Sequence, residues 1–500
     1  MNSILIIGAG PTGLVLALCL ARQGVPFRII DKNSGPGRTS RAMVVHARTL
    51  EFYRQLDIAD EAVEKGIMVN RVRIRRKGKE KGHFKLGDIG KGLSPYPFAL
   101  SFPQDEHERF LLEKLKAEGI EVEWETELVS FVDKGGYVAV ELKKKDQTEI
   151  VETSYLLGCD GAHSTVRRGL DLDFQGGTYD HTFYVADAEA SGDAASTTDL
   201  NVCLGEEEFC IVFPVRNTGL NRFIGIVPPV QEGRGTLAFE DIAPFIERLL
   251  KVKVHGVNWF STYRVHHRVA EKFRKGRVFI LGDAGHIHSP VGGQGMNTGI
   301  GDAVNLAWKL AAVFHRRAGE AVLDSYETER IAFARLLVNT TDKAFQAIIG
   351  RHPAGRLVRT VLMPYAGPFL LGFRPVKKAA FNTVSQIRIH YRDSFLSTGK
   401  AGKLHGGDRL PWVEEIDNFA PLKTADWQIH IYGKAGEGMR ETAKNLKLAL
   451  HEFQWSRACD KAGFLKDALY LVRPDGYIGL ADRNQDTRKL REYFSQCKIK

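Results

Sequence analysis

ILIIGAGPTGLVLALCLARQGVPFRIID, residues Ile4 to Asp31, decides the fold. Four apolar residues, Ile4-Leu5-Ile6-Ile7, read as a strand, and Gly8-Ala9-Gly10-Pro11-Thr12-Gly13 follows without a break. Leu14, Leu16, Leu18 and Leu20 among small residues then read as a helix. Phe27-Arg28-Ile29-Ile30 reads as a second strand, ending at Asp31, eighteen residues after Gly13. Strand, GxGxxG turn, helix, strand and acid in that order form a dinucleotide-binding βαβ unit. Gly8 permits the tight turn, Gly10 lets backbone reach a pyrophosphate, and Gly13 lets the helix pack on the strand. Asp31 is placed to bind a ribose hydroxyl pair.

Two further stretches repeat the theme. In Gly276–Leu310 an apolar strand, Val278-Phe279-Ile280-Leu281, runs into Gly282-Asp283, then into glycines, then into a helix carrying Leu306, Trp308 and Leu310. Such a run lets backbone N–H groups approach a ligand closely, with the positive end of a helix dipole behind them. Asp283 can accept from a ribityl or ribose hydroxyl. In Tyr155–Arg168 another apolar strand ends in Asp160-Gly161, with small polar and basic residues after it. Asp-Gly alone is a common turn; the ordered set of three is not common.

On these three motifs the chain resembles the FAD-dependent aromatic hydroxylases of the para-hydroxybenzoate hydroxylase fold, over residues 1 to about 390. It is more closely similar to the longer members that act on phenols, aromatic polyketides and rifamycin-type antibiotics. The resemblance implies an α/β fold: an FAD-binding Rossmann-like domain of the glutathione-reductase type, a β-sheet substrate domain and a C-terminal thioredoxin-like domain. It also implies site residues. Thr12 and Gly13 would meet the pyrophosphate, and Asp31 and Lys32 the adenosine ribose. Arg41, Gln104 and Leu128 match positions that hold the cofactor, Leu128 beside the adenine. Asp160 matches the motif tied to FAD and nicotinamide use, and Asp283 would bind ribityl hydroxyls. Pro290, Gly293, Gly295, Met296 and Asn297 would line the isoalloxazine ring. Gly285 stands where Ala is common, and Ile331-Ala332 replaces an expected Arg-Pro after Glu329-Arg330.

Five hundred residues, 43% of them hydrophobic, can bury several cores. No apolar run reaches the length of a transmembrane helix, and the apolar start at Ile4 is too short for a secretory leader. Six scattered cysteines with no CxxC exclude zinc and redox-motif readings and suit a reducing cytosol, so a cytoplasmic location is expected. The net charge of +10 raises nucleic acid as a partner, but no binding motif accompanies the basic runs. Arg71–Lys77 alternates with Val72 and Ile74 and reads as a strand with one solvated face. Lys143-Lys144-Lys145 reads as a hairpin tip between Tyr137–Leu142 and Glu149–Leu157.

The FAD-binding domain is expected from residues 1–70, 98–175 and 275–350, and the substrate sheet from 71–97 and 176–274. Phe209–Phe213 suits a strand buried on both sides. Residues 320–349 read as a long helix, and 351–400 as a helical connector. Within it, Val361–Phe373 is apolar but broken by Pro364 and Pro368; it reads as core or as a lining of the substrate entrance, ahead of contact with a membrane surface. Residues 401–500 form the last domain: a strand at Trp427–Tyr432, an amphipathic helix at Met439–Phe453, and a hairpin turning at Asp475-Gly476. Lacking CxxC, it is not expected to exchange disulfides. Gly433–Gly438 reads as a strand-to-helix turn.

The expected activity is NAD(P)H-consuming hydroxylation of a phenolic or polycyclic aromatic substrate with molecular oxygen, through a flavin C4a-hydroperoxide. NADPH or NADH would dock transiently, since no second GxGxxG exists. The cofactor carries the chemistry while the protein supplies placement and dryness. Pro290 and Arg41 are the candidate catalytic positions. No base is assigned: His266, His267, His286 and His288 read as hydrogen-bond partners, and Arg216 and Arg222 as surface residues. A halogenase reading fails for want of a Trp-x-Trp motif. A flavin-dependent reductase and a flavin-bound interaction protein stay open, as does a homodimer; stable membrane insertion is not expected.

Overall fold

The computed structural model describes residues 3–37, 42–87, 89–195, 198–205, 209–215, 219–231, 236–349 and 357–499. Its centre is a five-stranded sheet gathered from three distant parts of the sequence. The order runs Arg274–Lys275, Val278–Ile280, Tyr155–Gly158, Ile4–Ile7, Phe27–Ile30, and all but the first are parallel. Ile4–Ile7 and Tyr155–Gly158 are buried along their whole length, as suits parallel strands covered on both faces. The helices Pro11–Arg22 and Gly295–Phe314 pack together against it. Ile7 lies opposite both Ile30 and Gly158, and Gly158 opposite Ile280, so four strand ends finish on one rim.

Beside this sheet lies an antiparallel one of Thr126–Asp133, Val138–Lys144 and Gln147–Thr153. The return strand expected at Glu149–Leu157 is therefore two strands. Ser154 N donates to Ser3 O (2.9 Å) and redirects the chain from an exposed hairpin into the buried parallel sheet.

A third sheet of eight strands holds the two 18-residue strands Phe174–Ser191 and Lys253–Ala270, with Phe209–Pro214 between two partners. Arg71–Arg76 belongs here, and its arginines do not form a solvated face. Arg75 is buried and donates to Asn201 Oδ1 (2.8 Å) and Asp193 Oδ2 (2.5 Å), while Arg73 donates to Asp199 Oδ2 (2.7 Å). The alternation was legible; the acids, more than a hundred residues away, were not. Arg222, expected at the surface, is also buried, with Nε and Nη2 on the Asp187 carboxylate at 2.7 and 2.6 Å.

The long helix Asp324–Ile349 follows a 3₁₀ turn at Glu320–Leu323. Val358–Ala366 is a π-helix, then come Gly367–Leu370 and Arg374–Val384. Of the readings of this apolar stretch, core packing fails for Tyr365, Phe369 and Phe373, which are each at least half exposed.

The chain from Thr398 onward builds a six-stranded sheet. The helix expected over Met439–Phe453 stops early: Glu437–Asn445 is helical, Lys447 takes a φ of 55°, and Ala449–Phe453 is a strand parallel to Gln428–Tyr432. Leu469–Val472 and Ile478–Asp482 complete an antiparallel hairpin beside it. Buried ion pairs fasten this unit to the rest. Arg473 grips Glu329 of the long helix at 2.7 and 2.9 Å, and Arg409 Nε donates to Glu51 Oε2 (2.8 Å). Trp308 Nε1 donates to Asp475 Oδ2 (3.1 Å). Among the described residues no helix is long and apolar enough to cross a membrane, and no metal-binding cluster occurs.

Candidate functional site

The shared rim collects the three glycine-acid motifs. Gly8 leaves its strand at φ +103°, and a Cβ there would lie 2.4 Å from the Cys159 carbonyl oxygen, so only glycine lets the two strand ends touch. At Gly13 a Cβ would lie 2.0 Å from the Gly8 oxygen, which closes the turn onto the helix. Gly10 has nothing within 4 Å of its Cβ position. Open space over Gly10, a helix opening at Pro11 and no side-chain cap on that helix fit the diphosphate of a dinucleotide. Thr12 lies beneath the other loops: its Oγ1 is 2.6 and 2.3 Å from the Cβ positions of Gly282 and Gly299.

Asp31 Oδ2 accepts from Ala9 N (2.8 Å), and Oδ1 from Asn33 N and Nδ2 (2.9 and 2.8 Å). A carboxylate has about four acceptor sites, so room for a hydroxyl remains. Lys32 beside it is exposed. Thr126 N donates to Asp31 O (2.9 Å), bringing the strand that holds the buried Leu128 to the same corner. Gln104 donates through Nε2 to Glu108 Oε1 (2.8 Å) and through its backbone N to Ala42 O (3.1 Å). Burial raises the Glu108 carboxyl above its ordinary range. Arg41 and Arg216 lie outside the described residues.

Asp160 Oδ2 accepts from Thr165 N (2.7 Å) and Val166 N (3.1 Å), opening the short helix Thr165–Gly169, while its Oδ1 is buried without a partner. Arg167 then straps the second motif to the third, donating to Ala162 O and Ala284 O at 2.9 Å each. Asp283 is exposed on the rim, as is Pro290.

The glycine loop that follows is held from three sides. Gly292 and Gly293 adopt φ of +76° and +63°. His46 Nε2 donates to Gly292 O (2.7 Å), and burial lowers this imidazole from 6.5 to about 4, so it stays neutral. Asn297 is fully engaged: Oδ1 accepts from His46 N and Thr49 Oγ1 (2.8 Å each), and Nδ2 donates to Val44 O (2.8 Å) and Gly293 O (2.9 Å). Gln386 Nε2 donates to Gln294 Oε1 (2.6 Å) and Thr298 Oγ1 (2.9 Å). Met296 Sδ is 3.4 Å from His107 Nδ1, whose ring burial lowers to about 3. His288 Nδ1 donates to Ser289 O (2.8 Å) with its pKa lowered by burial to about 4, and its Nε2 faces the Gly295 Cβ position at 3.7 Å. Gly295 keeps that space clear.

Under the loop, Asp302 ties the floor. Its Oδ2 accepts from Gly282 N (3.0 Å) and His286 Nε2 (2.7 Å), and Oδ1 from Arg330 Nε (2.6 Å). Arg330 also reaches Thr298 O (3.0 Å) and Tyr391 Oη (2.9 Å). His266 instead meets Thr178 Oγ1 (2.7 Å), and His267 packs on Tyr179. The three motifs end on adjacent strands of one sheet, while His46, Arg167, Asp302, Arg330 and Gln386 were not read from the sequence as the groups that fasten their loops. Two of them carried a signal: Asp302 in a further Gly-Asp pair, Gly301-Asp302, and Arg330 in the Glu329-Arg330 motif.

Comparison with known proteins agrees with this geometry. The family model described as FAD binding domain matches residues 1–341. The 6-methylpretetramide 4-monooxygenase of Streptomyces rimosus is 33% identical over 519 residues, covering 97% of this chain and 92% of that protein. The dialkyldecalin synthase of Streptomyces rugosporus is 31% identical over 95% of each. Among solved structures CabE, an aromatic hydroxylase from angucycline biosynthesis, matches with a TM-score of 0.78 and 26% identity over 99% of both chains.

Proposed function

The chain belongs to the FAD binding domain family, and from that premise we propose that it hydroxylates a polycyclic phenol of polyketide type, using NAD(P)H and molecular oxygen. It is an FAD-dependent aromatic monooxygenase. One observation supports the reading: three motifs from distant sequence meet on a single strand-end rim, with Gly8, Asp160 and Asp283 each just beyond the end of a neighbouring parallel strand. The polycyclic substrate is supported by the relatives' own substrates. It is also supported by the ring cluster of Tyr179, Phe183, Tyr263 and Phe345 between the large sheet and the long helix.

In this proposal the N–H groups of Thr12 and Gly13 bind the diphosphate, and Asp31 and Lys32 the adenosine ribose. Leu128 flanks the adenine, Gln104 and Arg41 hold the cofactor, and Asp283 takes ribityl hydroxyls. Bound FAD supplies hydride acceptance and oxygen activation. The loop from Pro290 to Asn297 supplies backbone around the ring, its course set by His46 and Asn297. Because Asn297 is spent on the protein's own backbone, its contribution is positioning. The neutral His288 offers an acceptor nitrogen beside Gly295. Packed apolar walls keep water from the reacting atoms. The C-terminal unit is read as thioredoxin-like, on the support of its parallel pair followed by an antiparallel hairpin; without CxxC it serves as a docked structural unit.

Anaerobic mixing with NADPH or NADH tests the reading: flavin bleaching should accelerate when a polycyclic phenol is added. A second reading, ring formation without oxygen insertion, rests on the likeness to dialkyldecalin synthase. Substrate turnover without oxygen uptake would favour it.

A further inference from the structure

From Lys343 to Arg392 the sequence holds nine Lys and Arg and no Asp or Glu. Among the described residues sixteen large hydrophobic side chains are exposed, and eight of them lie between Leu357 and Val384. Phe369 is 69% exposed, Tyr365 52% and Phe373 50%. The Phe369 and Phe373 rings meet edge to face at 5.2 Å, so they form one apolar knob. Contiguous exposed apolar surface of this kind marks an interaction site.

Charge says what covers it. Lys378 is exposed and Lys377 half-buried on the helix Arg374–Val384. The strand Lys79–Lys85 packs against this region and adds exposed Lys79, Lys81 and Lys85. Its one acid, Glu80, is paired with Arg73 and His83. A second copy of this chain meeting face to face would bring the same uncompensated positive charge to the contact, which repulsion opposes. Aromatic and aliphatic side chains ringed by lysines suit a lipid interface instead: the apolar groups enter the acyl boundary and the lysines meet phosphates.

We propose that the face from Leu357 to Val384 seats the enzyme reversibly on an anionic lipid surface. The face is joined to the flavin loop, since Val384 O accepts from Gln294 Nε2 (2.8 Å) and Gln386 reaches Gln294 and Thr298. A sparingly soluble aromatic compound leaving the bilayer would thus enter beside the site. The association itself does not depend on the monooxygenase reading.

The test is sedimentation of the purified full chain with vesicles of phosphatidylcholine alone and of phosphatidylcholine mixed with phosphatidylglycerol. Binding is expected only to the mixed vesicles, with release by high salt. Lys377→Gln with Lys378→Gln should weaken partitioning about twenty-five-fold, at roughly a factor of five per lysine. Phe369→Ser with Phe373→Ser should remove binding while both variants keep bound FAD and NAD(P)H oxidation. Absence of binding to either vesicle, or equal binding to both at any salt, overturns the proposal. So does a dimer in sedimentation velocity that the Phe369→Ser, Phe373→Ser variant dissociates, because the second copy would then be the occupant.

Discussion

Arg330 Nε donates to Asp302 Oδ1 at 2.6 Å, in a pair with at most 1% of either side chain exposed. The other Asp302 oxygen holds the Gly282 backbone and His286, so one carboxylate links the long helix, the third motif and the loop beyond it. Burial alone would raise this carboxyl, yet Arg330 and His286 hold it below its ordinary value.

Asp302→Asn should therefore leave a buried guanidinium uncompensated and cost about 3–5 kcal/mol of stability. Urea unfolding checks the cost, and FAD content should fall with it because the Gly282 turn loses its anchor. A variant of wild-type stability would mean that the pair holds nothing together.

Gly10 and Gly13 separate ligand space from protein space. Gly13→Ala forces its Cβ against the Gly8 oxygen and should destabilise the apoprotein by about 1–3 kcal/mol. Gly10→Ala meets no protein atom and should leave apoprotein unfolding unchanged while weakening FAD binding. Fluorescence titration of each apoprotein with FAD, beside its urea curve, tells the two effects apart.

His46→Phe removes the donor that holds Gly292 O at its left-handed turn. The cost of the lost buried hydrogen bond is about 1–3 kcal/mol. Its signature should be looser coupling, with more hydrogen peroxide released per NAD(P)H and little loss of bound FAD. His46→Gln, which retains an N–H donor, should recover part of the coupling; equal defects in the two would assign His46 to packing alone.

Acid should weaken the fold earlier than carboxylate protonation alone requires. Burial lowers His46 and His288 from 6.5 to about 4 and His107 to about 3, so between those values the unfolded chain binds more protons. Stability is full above pH 6.5 and falls as pH drops toward 4, by up to about 1.4 kcal/mol per pH unit for each histidine. Urea midpoints measured from pH 7.5 to 5 should decline, and His107→Phe should flatten the slope. A flat profile in the parent protein would contradict the burial of these rings.

The cofactor rim was legible because glycines, a strand's hydrophobic run and a terminal acid are local signals, each readable within a few residues. Gly8, Gly13, Asp31, Asp160 and Asp283 came from such signals. The fasteners were not, since His46 reaches Gly292 across 246 residues and Asp302 meets Arg330 across 28. Pairing over that distance leaves no trace in spacing. Periodicity also misled twice: it merged the helix at Glu437–Asn445 with the strand Ala449–Phe453, and it read Arg73 and Arg75 as solvated when Asp199 pairs with the first and Asp193 and Asn201 hold the buried second.

The most direct test of the monooxygenase is turnover under ¹⁸O₂ with NADPH or NADH and a panel of polycyclic phenols, followed by mass spectrometry of the products. A product heavier by one ¹⁸O atom, formed only with the reductant and with matching oxygen uptake, is the expected result. Yellow, FAD-bound protein that yields a product without ¹⁸O, or consumes no oxygen with any phenol and either nicotinamide, would contradict it.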